Sequence, residues 1–144
     1  MLTEENKAKA RRFYEEVFNQ RNVDAVDEFV AADFVDHNPG PEQAPGREGL
    51  KRSFARTITT FPDLHVTVED MVTEGDKITT RVTFRGTHDG EFEGTPATGK
   101  PMTITGIDIV RIEDDKTVER WGNFDELGML QQLGIIPLPG EGGG

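Results

Sequence analysis

Cysteine is absent from this sequence of 144 residues, and tryptophan occurs once. A chain without cysteine has no thiol nucleophile, no disulfide and no thiolate metal site. Positive charge is also scarce, because 16 Lys and Arg face 27 Asp and Glu for a formal charge of −11. An acidic chain without a basic cluster is repelled by phosphate backbones and by anionic membrane surfaces. We therefore expect partners that are neither nucleic acid nor membrane.

Targeting segments and cofactor motifs are missing as well. The opening MLTEE is acidic where a signal peptide is positive, and no apolar run approaches the roughly 20 residues that span a bilayer. The sequence has no glycine-rich phosphate loop and no Gly-x-Ser-x-Gly elbow, and its histidines lack the His-x-x-x-His spacing of a zinc site. These absences predict a cytoplasmic protein that works without a metal or another cofactor.

Helical periodicity fills the first part of the chain. Thr3 can cap a first helix, whose apolar stripe contains Ala10, Phe13, Tyr14, Val17 and Phe18. A second, short helix is predicted from Val26, Phe29, Val30 and Phe34, with Asp24 near its start and its end before Asn38 and Pro39. A third is predicted from the spacing of Leu50, Phe54, Ile58 and Phe61, and Pro62 ends it.

From Leu64 onward the hydrophobic period falls to two, which predicts strands. The alternating segments are residues 64–68, 78–88, 102–112 and 117–124, with turns at 74–76 and 114–115 and a glycine-containing loop at 89–101. Leu127, Leu130 and Leu133 predict a short terminal helix. We interpret residues 1–136 as a single domain and residues 137–144, rich in Gly and Pro, as a flexible tail.

Helices that precede strands predict an α+β domain rather than alternating units. We expect a cone-shaped barrel in which a curved antiparallel sheet wraps around the N-terminal helices and encloses a pocket. Nine phenylalanines favour an apolar or aromatic ligand over a sugar or a phosphate ester. The candidate lining residues are Phe34, Phe54, Phe84 and Met102.

Several segments together resemble the SnoaL-like polyketide cyclase family of the nuclear-transport-factor-two-like superfamily. They are GTH at 86–88, ATGK at 97–100, GIDIVRI at 106–112, VERWGNFD at 118–125, LGML at 127–130, and Asp36-His37 after the second helix. The resemblance covers roughly residues 4–136 and implies the cone fold. It also implies an intramolecular aldol ring closure on a polyketide-like or other small apolar carbonyl compound, without a cofactor. A homodimer through the outer sheet face is implied too, with Thr79, Arg81, Thr83 and Arg85 as polar contacts.

Asp125 is the first candidate catalytic residue, because the family's acid/base aspartate falls on it. Trp121 and Phe124 nearby could exclude water and raise its pKa. The alternative is an N-cap, since Asp125 directly precedes the terminal helix, and a cap would lower that pKa instead. The two interpretations place the carboxyl in different surroundings, so the structure can separate them.

Asp108 is the second candidate, because a carboxylate there interrupts the apolar row of the strand at 102–112. Many members of the family have His at this place, so the hydrogen-bond donor expected there is replaced. Two carboxylates in one cavity would raise one pKa. The alternatives are that this face points outward, or that Asp108 pairs with Arg120 or Arg111.

His37 completes the catalytic candidates, since it could orient a carbonyl or share a proton, or merely stabilise the turn beside Pro39. Trp121, Asn123 and His88 are candidate substrate-binding residues, and Asn123 could equally be a structural amide. Two other functions stay open. A non-catalytic binder of a small apolar molecule would need Asp125 only as a cap. An epoxide hydrolase or isomerase of the same fold could use Asp108 and Asp125, although Gly106 stands where the strand arginine of such hydrolases is wanted.

Overall fold

The computed structural model describes residues 2–137 and residue 140. Helix α1 spans Glu4–Tyr14, and Thr3 and Asn6 cap it reciprocally. The helix continues into a single π turn, Glu15–Asn19, where the Asn19 amide bonds to the backbone N–H and C=O of Val66 at 2.7 and 3.0 Å. This clamp fixes the end of α1 against the sheet. Within the described residues no helix has the length and apolar character needed to cross a membrane.

The predicted second helix ends earlier than expected. A 3₁₀ turn at Val23–Ala25 leads into α2 at Val26–Phe29, and Val30–Asp36 is strand β1. Val30 and Phe34 lie four residues apart, a spacing that places two side chains on one face of either a helix or a strand. The prediction of helix at 30–34 was wrong. This segment forms backbone hydrogen bonds with β5, and the spacing of its apolar residues does not reveal that pairing.

The remaining elements follow the predicted order. Helix α3 spans Gly46–Thr60, the strands β2 to β5 span His65–Glu74, Lys77–Thr87, Pro101–Glu113 and Lys116–Phe124, and α4 spans Glu126–Gln132. The sheet order is β1-β5-β4-β3-β2, antiparallel throughout β2 to β5 and parallel between β1 and β5. The predicted α+β architecture is confirmed. The sheet is not closed, since β1 and β2 are its edges, and it forms an open cone. Of the predicted tail, residues 138, 139 and 141–144 lie outside the described residues.

The core lies between the helices and the inner face of the sheet. Tyr14, Phe18, Phe34, Phe84 and Met102 belong to its buried apolar cluster. Register shifts between Val68 and Asp70 in β2 and between Thr117 and Glu119 in β5 mark bulges, which bend a sheet and increase its twist. The bent sheet and the helices leave a space between them that the side chains do not fill.

Candidate active site

A cavity of about 1260 Å³ occupies this space. Aromatic side chains from α1, α3 and the sheet form much of its wall, among them Phe13, Phe18, Phe54, Phe84 and Phe124. Phe18 and Phe54 meet edge to face at 4.8 Å, as do Phe84 and Phe124 at 5.2 Å. Such a wall suits a flat apolar ligand.

One buried carboxyl group lies in this apolar wall. Alternate residues of β4 face inward, and Asp108 follows Ile104 and Gly106 on that face with its side chain 8% exposed. The Tyr14 hydroxyl donates a hydrogen bond to Asp108 Oδ2 at 2.8 Å. Arg120 Nε lies 3.6 Å from the same oxygen, whereas the buried Oδ1 has no hydrogen-bond partner. An unpartnered buried carboxylate oxygen is costly, and a ligand that donates or yields a proton would relieve that cost.

The surroundings shift the acidity of both groups. Burial raises the pKa of Asp108 above its ordinary value, and the nearby Arg120 charge and the Tyr14 hydrogen bond only partly oppose that shift. Burial, reinforced by the Asp108 charge, raises the pKa of Tyr14 well above its ordinary value, so the hydroxyl keeps its proton and donates. Asp108 is therefore a carboxyl group suited to gaining and losing a proton nearer to neutrality.

The carboxylate of Asp36, at the end of β1, also contacts Arg120. Arg120 Nη1 lies 3.1 and 3.3 Å from the two oxygens of Asp36 and 3.3 Å from the carbonyl of Asn38. Gly122 provides the room for this guanidinium, because a Cβ at that position would lie 2.3 Å from Arg120 Nη2. Tyr14, Asp108, Arg120 and Asp36 all line the cavity and form its polar centre.

Six predicted site residues line the cavity. They are Asp108 and the apolar Phe34, Phe54, Phe84 and Met102, together with Asn123. Asn123 is exposed and pairs with the exposed Ile107, so it lies at the rim.

Asp125 lies outside the lining of this cavity and is exposed. Its Oδ1 accepts a hydrogen bond from the backbone N–H of Gly128 at 2.9 Å, which is the N-cap arrangement for α4. A Cβ at position 128 would lie 2.2 Å from Oδ2, so glycine there leaves space for the cap. The structure thus places this carboxyl as the N-cap interpretation requires, and its catalytic role stays a prediction.

His37 and Trp121 lie together outside the cavity lining. Their rings stack at 4.8 Å, and His37 Nε2 lies 2.8 Å from Glu119 Oε2. Arg111 Nε donates to the other oxygen of Glu119 at 2.6 Å, and these two hydrogen bonds lower the pKa of Glu119. Arg111 is thereby engaged with Glu119, which leaves Arg120 as the arginine beside Asp108.

His88 is fully buried but is not among the cavity-lining residues. Its Nδ1 accepts from the Thr98 backbone N–H at 3.3 Å and lies 2.9 Å from the Thr98 hydroxyl. The backbone N–H of His88 donates to the backbone carbonyl of Lys100 at 2.9 Å. These contacts hold the loop before β4 in place, which is a structural role for His88. Its role in substrate binding stays a prediction.

Sequence reasoning did not select Tyr14, Asp36 or Arg120 as site residues. Tyr14 was assigned to the apolar stripe of α1, although its hydroxyl needed a buried partner. Arg120 has a usable signal, because it is one of the two arginines that the sequence analysis considers as a partner of Asp108 and it alternates with Gly122 and Phe124 on one face of the predicted strand. Asp36 belongs to a segment of the family resemblance, but no pattern in the sequence predicts its contact with Arg120, because the sequence predicts a helix before it instead of strand β1. In the described part of the chain no three His, Asp or Glu side chains are arranged to hold a metal ion.

Comparison with known proteins identifies the family and agrees with the fold. The sequence profile of the SnoaL-like polyketide cyclase family matches residues 8–133. The chain is 29% identical over 128 residues to aklanonic acid methyl ester cyclase DnrD of Streptomyces peucetius, across 83% of this chain and 84% of that protein. The structure superposes on TsrD of Streptomyces laurentii with a TM-score of 0.86 at 30% identity, covering 94% of this chain and 100% of TsrD. For IdmH of Streptomyces antibioticus the TM-score is 0.77 at 36% identity, covering 90% and 98%.

Proposed function

The chain belongs to the SnoaL-like polyketide cyclase family, and from this membership we propose that it is a cofactor-independent cyclase with Asp108 as its acid/base group. One observation carries the proposal. Asp108 is a buried carboxyl group in the wall of a largely aromatic cavity, and its Oδ1 has no partner. Asp125, the acid/base residue that the resemblance implies, is exposed and caps a helix.

The substrate we propose is a flat polyketide-like compound with several carbonyl groups. The aromatic wall favours such a ligand, and the curated relatives DnrD and DauD are aklanonic acid methyl ester cyclases. A carbon between two carbonyl groups is already acidic because its anion is delocalised. A carboxylate whose pKa is raised by burial is therefore a sufficient base.

Ring closure would proceed without any change of oxidation state. Asp108 Oδ1 removes a proton from the activated carbon, and the resulting enolate carbon attacks a second carbonyl carbon of the same molecule. A carbon–carbon bond forms as the electron pair of the carbonyl moves to its oxygen. The protonated Asp108 then returns the proton to this alkoxide, so that the product is an isomer of the substrate. Tyr14 holds Oδ2 at 2.8 Å and leaves Oδ1 for the substrate.

A second candidate is epoxide opening, which one arrangement favours. Such chemistry requires an arginine and two aspartates around a water, and Arg120 from β5 lies between Asp108 and Asp36. Gly106 occupies the strand position at which such hydrolases have their arginine, and Asp125, the second aspartate expected from the sequence, lies outside the cavity lining. Asp108 would draw a proton from the water whose oxygen attacks the ring carbon. The proton ends on the ring oxygen as the carbon–oxygen bond breaks and the diol forms.

We expect Asp108→Asn to lower turnover at least about 100-fold, which is the usual contribution of an acid/base group. Asp125→Asn is the matched control, because Asn also caps helices and removes the same charge. The assay follows ring closure of aklanonic acid methyl ester and deuterium uptake at the activated carbon of a 1,3-dicarbonyl ester, for wild type and both variants. Activity that survives in Asp108→Asn but is lost in Asp125→Asn would return the acid/base role to Asp125.

The same protein samples separate the other functions. Diol formation from an aryl epoxide, without ring closure or deuterium uptake, would favour the second candidate. Binding of the aromatic probes without turnover of any of them would favour a non-catalytic binder.

We also propose that two copies associate through the outer sheet face. Val72 and Ile107 there are 58% and 49% exposed, and the half-buried Ile109 and Trp121 lie beside Ile107. Thr83, expected as a contact, is instead buried, and its hydroxyl donates to Glu69 at 2.6 Å. Val72, Ile107, Ile109 and Trp121 form an apolar stripe on the outer face. Burying exposed apolar surface favours association, which the predicted polar contacts alone would not explain.

A further inference from the structure

Arg120 is a half-buried cation placed between the carboxylates of Asp36 and Asp108. Its side chain is 15% exposed, against 5% for Asp36 and 8% for Asp108. The contacts are unequal, because Nη1 lies 3.1 and 3.3 Å from the Asp36 oxygens whereas Nε lies 3.6 Å from Asp108 Oδ2. The proposed ring closure uses neither Arg120 nor Asp36, so the pair has no assigned role.

The backbone holds this arrangement. Asp36 pairs with Arg120 across the parallel β1–β5 ladder, and Asp108 pairs with Gly122 across the antiparallel β4–β5 ladder. Because Gly122 has no side chain, the guanidinium can lie over its Cα and reach both carboxylates. Three strands therefore fix the cation relative to the two anions.

The same pair also holds the loop at one side of the cavity. Arg120 donates to the Asn38 carbonyl at 3.3 Å, and Gln43 donates to Asp36 Oδ2 at 3.1 Å. The Asn38 side chain accepts from the Gly122 backbone N–H at 2.9 Å. Residues 38–43 all line the cavity. Loss of the guanidinium would therefore release part of the cavity wall as well as a charge beside Asp108.

We propose that Arg120 is a positioning residue, which divides its charge between Asp36 and Asp108 and so sets the pH at which Asp108 exchanges its proton, while it holds the loop at 38–43 in place. The proposal rests on the acid/base role assigned to Asp108. A nearby cation favours the ionised form of a carboxyl group, and a second anion that shares the cation weakens that effect. The titratable and charged groups facing Asp108 are Tyr14 of α1, Arg120 of β5 and Asp36 of β1. Strand β3 presents the neutral Thr80 in register with Asp108.

Two substitutions are expected to shift the Asp108 titration in opposite directions. Arg120→Met removes the cation and raises the midpoint by about one pH unit or more, since an opposite charge at this range lowers a carboxyl pKa by about 1–3 units. Asp36→Asn frees Arg120 to interact with Asp108 alone and removes a neighbouring negative charge, so the midpoint falls. A purely structural role would not produce opposite shifts.

The test is a carboxyl-carbon NMR titration of the full chain without ligand, with Asp108→Asn to assign the signal. Arg52→Met is the matched control, because Arg52 is exposed on α3, and it should leave the Asp108 midpoint at the wild-type value. Arg120→Lys keeps the charge and should restore most of the wild-type midpoint. Should Arg120→Met fail to fold, the test rests on Asp36→Asn, which should lower the midpoint, and on Arg120→Lys, which should leave it close to the wild-type value. Midpoints that move together or do not move would overturn the proposal.

Kinetics then separate this inference from the proposed function. The acid limb of the kcat/KM profile should follow the NMR midpoint in each folded variant, and release of the loop should raise KM in Arg120→Met. If the NMR midpoints shift in opposite directions but Asp108→Asn keeps its turnover, Asp108 is not the acid/base group. The inference that Arg120 divides its charge between Asp36 and Asp108 would still stand. If Asp108→Asn is inactive but the midpoints stay fixed, the inference fails alone.

Discussion

A carboxyl group at position 108 lies among apolar side chains, and this placement affects folding as well as chemistry. Burial raises the pKa of Asp108 above the value it has in the unfolded chain. The folded state therefore binds this proton more tightly than the unfolded state does. The contribution of Asp108 to stability is most favourable at low pH, below its unfolded pKa, and declines as pH rises through the folded pKa. Above the folded pKa the ionised side chain costs stability.

We expect Asp108→Asn to raise Tm at neutral pH although it removes activity. The amide cannot ionise, and its oxygen can still accept from Tyr14. A gain of about 2–4 °C would correspond to about 1 kcal/mol in a domain near this size. Thermal unfolding followed by circular dichroism at pH 7 and pH 4 measures the effect, which should shrink at the lower pH.

Asp33→Asn provides the comparison for this experiment, because Asp33 is exposed on β1. It removes the same charge from the whole molecule without touching the cavity, so its Tm should stay close to the wild-type value. A fall in Tm for Asp108→Asn at pH 7 would mean that the contacts of the carboxylate with Tyr14 and Arg120 outweigh the cost of burying it.

At the scale of elements, α4 shows how a short helix depends on its cap. It has seven residues, too few to be stable by itself, and the Asp125 carboxylate satisfies the N–H of Gly128. Met129 and Leu133 bury the other side of this segment against the core. The cap and the packing together keep α4 against the cavity, to whose wall Met129 contributes.

We expect Asp125→Ala to destabilise the protein by about 1 kcal/mol, the usual cost of losing an N-cap side chain. Asp125→Asn retains a capping oxygen and should cost only a few tenths of that. Urea unfolding of the two variants, compared at equal m-values, tests the difference. Equal stability of both variants and wild type would show that the hydrogen bond to Gly128 contributes nothing measurable.

Strand β1 and the polar centre show why some elements and site residues escape sequence analysis. The alternation in β3 and β4 predicted both strands and the set of β4 residues that share a face with Asp108, because a strand's period of two assigns each side chain to a face. The packing of the helices decides that this face points inward. Position 30–36 follows no decisive period, and pairing with β5 decides its conformation. The pairing of Asp36 with Arg120 depends on that contact, since the two residues are far apart along the chain.

At the scale of the whole molecule, the two faces of the sheet have different roles. The inner face carries the cavity, and the outer face carries an apolar stripe that includes Val72 and Ile107. Exposed apolar area of this kind on a sheet is typical of an interface. A second copy is the partner that the family resemblance implies.

We expect wild type to form a dimer and Ile107→Glu to be a monomer, because a charge there would have to be buried on association. Leu127→Glu is the control, since Leu127 is 57% exposed on α4, outside the sheet. Size-exclusion chromatography with light scattering gives the mass of each. A monomeric wild type at tens of micromolar would contradict the dimer, and a dimeric Ile107→Glu would contradict its placement on the outer sheet face.

The sequence alone determined the class of fold, the helices and strands other than β1, the family, and the aromatic character of the pocket. These properties follow from local periodicity, from composition and from motifs that are contiguous in the chain. Only the tertiary structure decided which carboxyl groups face the cavity. It places Asp108 beside Tyr14 and Arg120, whereas Asp125 lies at the terminus of a helix. The physical reason is that burial, and with it the acidity of a side chain, depends on neighbours brought together from distant parts of the chain, which no local pattern encodes.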